Sequence, residues 1–370
     1  MGEKVSTKVM YLTIILIVLL ATPVESKPVI IGFKEKVNPI VIEAYMITNY
    51  TMHKEIKAIS TDISESTFCK LRTDKNIRYV EDDITVHVEK KNLQPLQEAE
   101  WGIYCVNAPQ AWTNCTGKGV KIAIIDTGIS KKHPDLTVSG GVNLVGTAQN
   151  KKWDDDNGHG THVAGITGAC NNSIGVVGVA YDSELYAVKV LDSNGNGQIS
   201  DVIEGIEWAM ENDMDIISLS LGTNLYSQAL EDACEVAYNS DILLVAAAGN
   251  SGNGNPDTND VDYPAKFDSV IAVAAIDCNN DTSIWSADGT EVELAAPGVD
   301  IYSTYLEEGY FTSSGTSMAA PFVSGVAALI KSENPSFSSE EIRNLLAYNA
   351  VDLGAIGKDG TFGFGLVQAG

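Results

Sequence analysis

Positive charge is what this chain has least of. Against 49 Asp and Glu it carries 24 Lys and Arg, a formal net charge of −25. The shortage is uneven: residues 1–95 hold 13 basic and 12 acidic side chains, residues 96–370 hold 11 and 37. So much carboxylate excludes nucleic acid and anionic membrane as partners of the longer, C-terminal part. It suits instead a secreted protein kept soluble by self-repulsion. Cysteine is sparse as well. The six, at 69, 105, 115, 170, 234 and 278, contain no Cys-x-x-Cys pair, which argues against a zinc cluster. Internal repeats and low-complexity blocks are absent, which excludes a solenoid or a disordered array.

Only one long apolar run is present, over residues 9–24, preceded by Lys4 and Lys8 and followed by Val24-Glu25-Ser26. It is short for a spanning helix and ends near Pro23, so it reads as a secretory signal over residues 1–26. An uncleaved membrane anchor is the alternative. Once the signal is removed, no membrane partner is expected. Five cysteines then remain beyond the small N-terminal module, and an odd number cannot all pair within the chain.

Residues 27–91 read as strand, helix, strand, strand, helix, strand, beginning at Pro28-Val29-Ile30-Ile31-Gly32-Phe33 and ending at Ile77-Arg78-Tyr79-Val80-Glu81-Asp82-Asp83. A polar stretch from Glu89 to Glu100, containing Pro95, follows as a linker and a place for self-processing. Over residues 92–370 strands and helices alternate: strands at 121–126, 185–191, 215–220, 242–248 and 269–276, helices at 159–170, 200–211, 227–239, 316–332 and 338–348. The strands are rich in Val, Ile and Ala without polar alternation, as strands buried on both faces should be. That pattern predicts an α/β fold, a three-layer sandwich around a mainly parallel sheet.

Three segments carry chemistry. In Ser313-Ser314-Gly315-Thr316-Ser317-Met318-Ala319-Ala320-Pro321-Phe322 a serine stands at the mouth of a small-residue helix, in the positive field of its N-terminus. Alone, Ser317 is as well read as an ordinary N-cap. Lys121-Ile122-Ala123-Ile124-Ile125-Asp126-Thr127-Gly128 is an apolar strand ending on a carboxylate and a glycine turn, at the sheet edge where α/β proteins place their sites. Asn157-Gly158-His159-Gly160-Thr161-His162-Val163-Ala164-Gly165 puts a histidine at a helix start. Asp126 to orient, His159 as base and Ser317 as nucleophile make a Ser-His-Asp triad.

With those motifs the chain resembles the subtilisin family of serine proteases, from a propeptide to the last helix; the Asp-His-Ser order is that family's own. The resemblance implies an inhibitory, ferredoxin-like propeptide that assists folding and then occupies the cleft as an intramolecular inhibitor. Asn250, in Ala246-Ala247-Ala248-Gly249-Asn250, is implied as oxyanion donor beside the Ser317 N–H. The loop Asn171-Asn172-Ser173-Ile174-Gly175-Val176 is implied to wrap a structural calcium ion. Its ligands would be the side chains of Gln97, Asp135 and Asn172 and the carbonyls of Cys170, Ile174 and Val176. By alignment Cys105 and Cys278 come close together, either as a disulfide or as free thiols packed as small hydrophobes.

Asp192-Ser193-Asn194-Gly195-Asn196-Gly197 begins like an EF-hand loop, but its twelfth position is Ile203, where a bidentate Glu is required. The same stretch aligns with a cleft-lining loop, so Gly195, Asn196 and Gly197 are expected to pair with an extended peptide. Ser220, Leu221 and Gly222 form the facing edge, and Ala247, Ala248 and Gly249 line the primary pocket. Alignment of Val261-Asp262-Tyr263-Pro264 puts Asp262 at the base of that pocket, where it would attract Lys or Arg. The alternative is that Asp262 points into solvent. The expected protein is a secreted, monomeric serine endopeptidase acting on proteins and peptides. A processing protease strict for basic residues is the less favoured reading, because such relatives carry a downstream sandwich domain and this chain ends soon after Phe364-Gly365-Leu366-Val367. A silent binding module would need a broken triad or a blocked cleft.

Overall fold

A computed structural model describes residues 26–88, 101–146, 152–255 and 258–370. The proposed signal up to Glu25, the whole linker Glu89 to Glu100 and with it the expected ligand Gln97 lie outside the described residues.

The N-terminal unit runs β1 (Ser26–Phe33), α1 (Pro39–Ala44), β2 (Thr51–His53), β3 (Ala58–Ser64), α2 (Glu65–Leu71), β4 (Ile77–Asp82) and β5 (Thr85–Val88). Its antiparallel sheet has the order β2-β3-β1-β4, the expected ferredoxin-like arrangement. Period-two alternation divides the strand residues. Val29, Ile31 and Phe33 of β1 turn to the unit's own core with Val41, Ile42 and Leu71, while Ile30 joins a core shared with the larger unit.

The larger unit follows as α3 (Trp101–Cys105), α4 (Ala108–Ala111), β6 (Lys121–Asp126), β7 (Val138–Asn143), α5 (His159–Gly168), β8 (Glu184–Lys189), β9 (Asn196–Gln198), α6 (Ile199–Glu211), β10 (Ile216–Leu219), β11 (Leu221–Gly222), α7 (Gln228–Asn239), β12 (Leu243–Ala247), β13 (Val270–Ile276), β14 (Val292–Pro297), β15 (Ile301–Thr304), β16 (Tyr310–Ser313), α8 (Thr316–Glu333) and α9 (Ser339–Asn349). Seven strands form a parallel sheet in the order β14-β13-β12-β10-β6-β8-β7. Both faces are covered. Ile122, Ile124, Leu243 and Val245 face α5 and α8, and their neighbours Ala123, Ile125, Leu244 and Ala246 face α6 and α7. That is why these strands read as continuous apolar runs. Among the described residues no helix is long and apolar enough to cross a membrane.

β5 and four strands of the larger unit escape the sequence reading. Val138–Asn143 contains two glycines and no apolar run, and the hairpin β15–β16 is short and polar; β14 places Glu293 in its interior, where Arg343 pairs with it. All six cysteines are free thiols. Burial, and after it the Cys278 thiol, push the Cys105 thiol up to about 11, and Cys105 Sγ lies 3.7 Å from Asn280 Oδ1.

Candidate active site

The parallel register assembles the site at one edge. Ser218 of β10 pairs with Ile124 of β6 on one side and Val245 of β12 on the other. Two residues on, Asp126, Ser220 and Ala247 stand side by side at the C-terminal ends of the central strands, the position where open α/β sheets bind ligands.

Asp126 is fully buried. Its carboxylate meets His159 Nδ1 at 2.8 and 2.9 Å and accepts the Thr127 N–H at 2.6 Å. A carboxylate accepts, so the facing ring nitrogen carries the proton and the neutral ring leaves its Nε2 lone pair for a base. That Nε2 is buried and makes no hydrogen bond. His159 opens α5, whose first turn is capped by Asp155. One of its oxygens accepts from the Asn157 and Gly158 N–H groups at 2.9 and 3.0 Å, the other from the Thr161 N–H at 3.0 Å and the Thr161 hydroxyl at 2.6 Å.

Ser317 lies in the first turn of α8, fully buried, and its hydroxyl donates to the Ser220 carbonyl at 3.1 Å. The Ser220 hydroxyl in turn donates to the Ser317 carbonyl at 2.8 Å. In this resting geometry the serine is therefore turned toward β10's exit; such contacts tighten onto the base when substrate is bound. Asn250 is held by its own neighbour to the nucleophile. The Thr316 N–H donates to Asn250 Oδ1 at 2.9 Å and the Thr316 hydroxyl at 3.1 Å. Since Thr316 N–H can only donate, the atom facing it is the oxygen, and the amide nitrogen points the other way.

The two segments expected to flank a bound peptide, β9 and β11, are joined by a third strand. β5 pairs antiparallel with β9, Val86 opposite Gly197 and His87 opposite Asn196. It also pairs antiparallel with β11, Val88 opposite Leu221 and His87 opposite Gly222. Gly195 sits in the preceding turn and is not part of the paired strand. A Cβ at Gly197 would stand 2.3 Å from the Val190 carbonyl oxygen, so only glycine permits this approach. The EF-hand resemblance dissolves: Asp192 spends a carboxylate oxygen on the Asn194 and Asn196 N–H groups at 2.8 and 3.0 Å. Asp262, against the solvent-facing alternative, is buried beside Gly222 and Gly249.

Comparison with known proteins decides the family. Residues 117–365 match the model described as the subtilase family. The chain belongs to the subtilase family. It is 40% identical to the thermostable alkaline protease of Halalkalibacterium halodurans over 99% of this chain and 98% of that one. It is 43% identical to subtilisin E of Bacillus subtilis over 81% of this chain and 77% of that one. It is 40% identical to the minor extracellular protease Epr of Bacillus subtilis over 92% of this chain, but spans only 54% of that longer protein. The subtilase is accordingly a serine endopeptidase with the family's Asp-His-Ser triad.

Two parts of this subtilase's site escape sequence reasoning. Lys189 would ordinarily be placed at the surface. It is buried at the end of β8, donating to the Thr127 and Leu191 carbonyls at 2.7 Å and to Asp156 at 2.8 Å, and so anchors the turn that follows Asp126. Thr316 is the second, because its role toward Asn250 depends on a contact across 66 residues. Only the polar residue inside an apolar strand hinted at Lys189.

Proposed function

We propose that this subtilase is secreted as an inactive precursor whose residues 27–91 occupy the cleft, and that it frees itself by cutting the linker. The observation that carries this is β5, seated between β9 and β11 as an added strand in the manner of a bound peptide. β5 ends with Val88 opposite Leu221, the residue that follows Ser220. In the proposed reaction His159 Nε2 takes the Ser317 proton as Oγ attacks the scissile carbonyl. Asp126 holds the imidazole in place and stabilises the imidazolium. The Asn250 amide and the Ser317 N–H stabilise the oxyanion. The imidazolium returns its proton to the leaving amine, and water then hydrolyses the acyl-enzyme with His159 again as base. Incubating the purified full-length chain and sequencing the N-terminus of the product tests the reading. A new terminus between residues 89 and 101, appearing together with peptidase activity, is expected. A stable full-length chain that hydrolyses no peptide would refute it.

Outside the cleft, β4 supports the inhibitory role. The Glu81 carboxylate, raised above its ordinary range by burial, caps α7 by accepting from the Ser227 hydroxyl at 2.6 Å and the Gln228 and Ala229 N–H groups at 2.9 Å. Arg78 adds a bidentate pair with Asp232, at 2.6 and 3.0 Å. Losing a charged hydrogen bond costs about 1.5–3 kcal/mol, which is roughly 10- to 100-fold in affinity. Glu81→Ala in the full chain should therefore shorten the lag between linker cleavage and the appearance of activity. An unchanged lag would remove this contact from the inhibitory interface.

Calcium is proposed as a structural ion. The donor chemistry fits: Asp135 is a fully buried carboxylate whose partners are the neutral Asn172 amide at 2.7 Å, the Val176 N–H at 2.8 Å and the Tyr310 hydroxyl at 3.2 Å. A buried carboxylate with neutral partners favours a cation, and the loop carbonyls are hard oxygen ligands. Asp135 and Asn172, the carbonyls of Cys170, Ile174 and Val176, and Gln97 would hold it. At a calcium concentration 100 times Kd the ion would stabilise the native state by about 2.7 kcal/mol, a melting shift of roughly 5–10 °C for a domain of this size. Chelation should remove that shift, and Asp135→Ala should make melting insensitive to chelator. A wild-type melting curve indifferent to chelation would reject the ion.

A further inference from the structure

We propose a second cation site, for calcium, formed by Asp260, Asp288 and Thr258 and separate from the one at Asp135. The segment that leaves the active site at Asn250 is laid against residues 285–288. The Gly249 carbonyl accepts the Ala287 N–H at 2.9 Å, the Gly252 N–H donates to the Trp285 carbonyl at 3.0 Å, and the Asp260 N–H donates to the Asp288 carbonyl at 2.9 Å. Backbone pairing thus sets two acids in one loop cluster just before β14. β14 and β7 are the two outermost strands of the seven-stranded sheet, and Asp135 precedes β7. The two sites therefore share no element.

Asp260 Oδ2 accepts from the Asn253 amide nitrogen at 2.8 Å and from the Thr258 hydroxyl at 2.9 Å. The same hydroxyl lies 2.8 Å from the Asn255 carbonyl and also bonds the Asp288 carboxyl, so it stands between the two acids. Asp288 is the informative group. It is only 4% exposed, and its Oδ1 is buried with no hydrogen-bond partner. Burial, and after it the Asp260 charge, hold its carboxyl above the usual carboxylate range. Among the described residues no Lys, Arg or His forms an ion pair with either acid. A buried charge is stable when it is paired or bound to a metal, and a buried oxygen left without a partner marks a missing ligand or ion.

The donor set selects the ion. Two carboxylates, a hydroxyl and the Asn255 carbonyl are hard oxygens, and the cluster contains no His or Cys, which disfavours zinc and copper. Calcium accepts an irregular, loop-borne set of oxygens completed by water, whereas magnesium demands near-ideal octahedral geometry. Bound there, the ion would give Asp288 Oδ1 its partner and offset the repulsion from Asp260. It would also fasten the loop that leaves Asn250. The Asn253 amide nitrogen must give way at Asp260 Oδ2 before the ion can bind. That cost places the site in the weak class, with Kd on the order of 10⁻⁴–10⁻³ M. Trace calcium that a chelator strips from the protein therefore belongs to the Asp135 site and not to this one.

The test uses the full-length chain carrying Ser317→Ala, to prevent self-digestion, with Asp135→Ala added to silence the first site. With calcium at about ten times Kd, the melting temperature should still rise by roughly 3–6 °C. Asp288→Asn or Asp260→Asn should abolish that rise and lower the calcium bound in equilibrium dialysis by one ion per chain. In chelator neither substitution should lower the melting temperature, because a neutral amide replaces a charge that nothing offsets. Glu308→Gln, at an exposed acid, controls for diffuse attraction of calcium to the acidic surface. A rise and an ion count unchanged in both Asp288→Asn and Asp260→Asn would overturn the site, and so would an equal loss in Glu308→Gln. Should Asp135→Ala fail to fold, the ion count of the Ser317→Ala chain with and without Asp288→Asn decides: a difference of one ion supports the site and no difference rejects it.

Discussion

Ser317→Ala should abolish peptide hydrolysis and leave the precursor at full length, because one nucleophile serves both reactions. Two other buried serines of the region, Ser314 and Ser324, are committed elsewhere. Ser324 donates to the Ala320 carbonyl and bonds Ser218, and Ser314 binds the Asp300 N–H at 2.8 Å. Only Ser317 combines the first turn of α8 with the exit of β10, level with Asp126. The substitution removes a hydrogen bond worth about 1 kcal/mol, so the melting temperature should move little while activity falls by roughly 10⁴-fold or more. That magnitude is carried over from triad variants of this same family. His159→Ala should behave alike, since a serine hydroxyl without its base is a weak nucleophile. Active-site titration and the N-terminal sequence of the product read both effects. Normal self-maturation of Ser317→Ala would refute the mechanism.

Asn250→Leu should separate turnover from binding. The residue's oxygen is fixed by Thr316 and its amide nitrogen turned away from that contact, so the donor is positioned before substrate arrives. A preorganised donor aimed at developing charge acts in the transition state and contributes little to ground-state binding. kcat should fall by roughly 10²–10³-fold with KM nearly unchanged, a size known from the equivalent substitution in subtilisin itself. Leucine matches the volume but leaves the Thr316 N–H without its acceptor, so a loss of about 1–3 kcal/mol in stability should accompany the kinetic effect. A rise in KM at constant kcat would assign Asn250 to substrate binding instead.

The triad and the central sheet were legible because their signals are local. Asp126 ends a strand whose apolar run reports burial on both faces, and His159 and Ser317 each stand at a helix start marked by glycine and small residues. The βαββαβ order up to Asp82 was legible from the same periodicities, but β5 beyond it was not. The less regular elements were not. β7, β14 and the β15–β16 hairpin take their strand character from neighbours, with Gly140 and Gly141 packed against Tyr186 and Ala187 and Glu293 neutralised by Arg343 fifty residues away.

What the sequence by itself determined is the set of chemical groups, their order along the chain and the strands and helices that carry them. Tertiary structure alone decided the surroundings of each group. Lys189, a surface residue by type, is buried because three oxygens from separate turns converge on its ammonium. Glu81 caps a helix nearly 150 residues away. Asp262, one acid among many in composition, is buried beside Gly222 and Gly249 because the chain after β12 crosses back to Thr223. Periodicity reports which face of an element is apolar, but burial and charge pairing depend on loop closures between distant segments, and no local pattern encodes those.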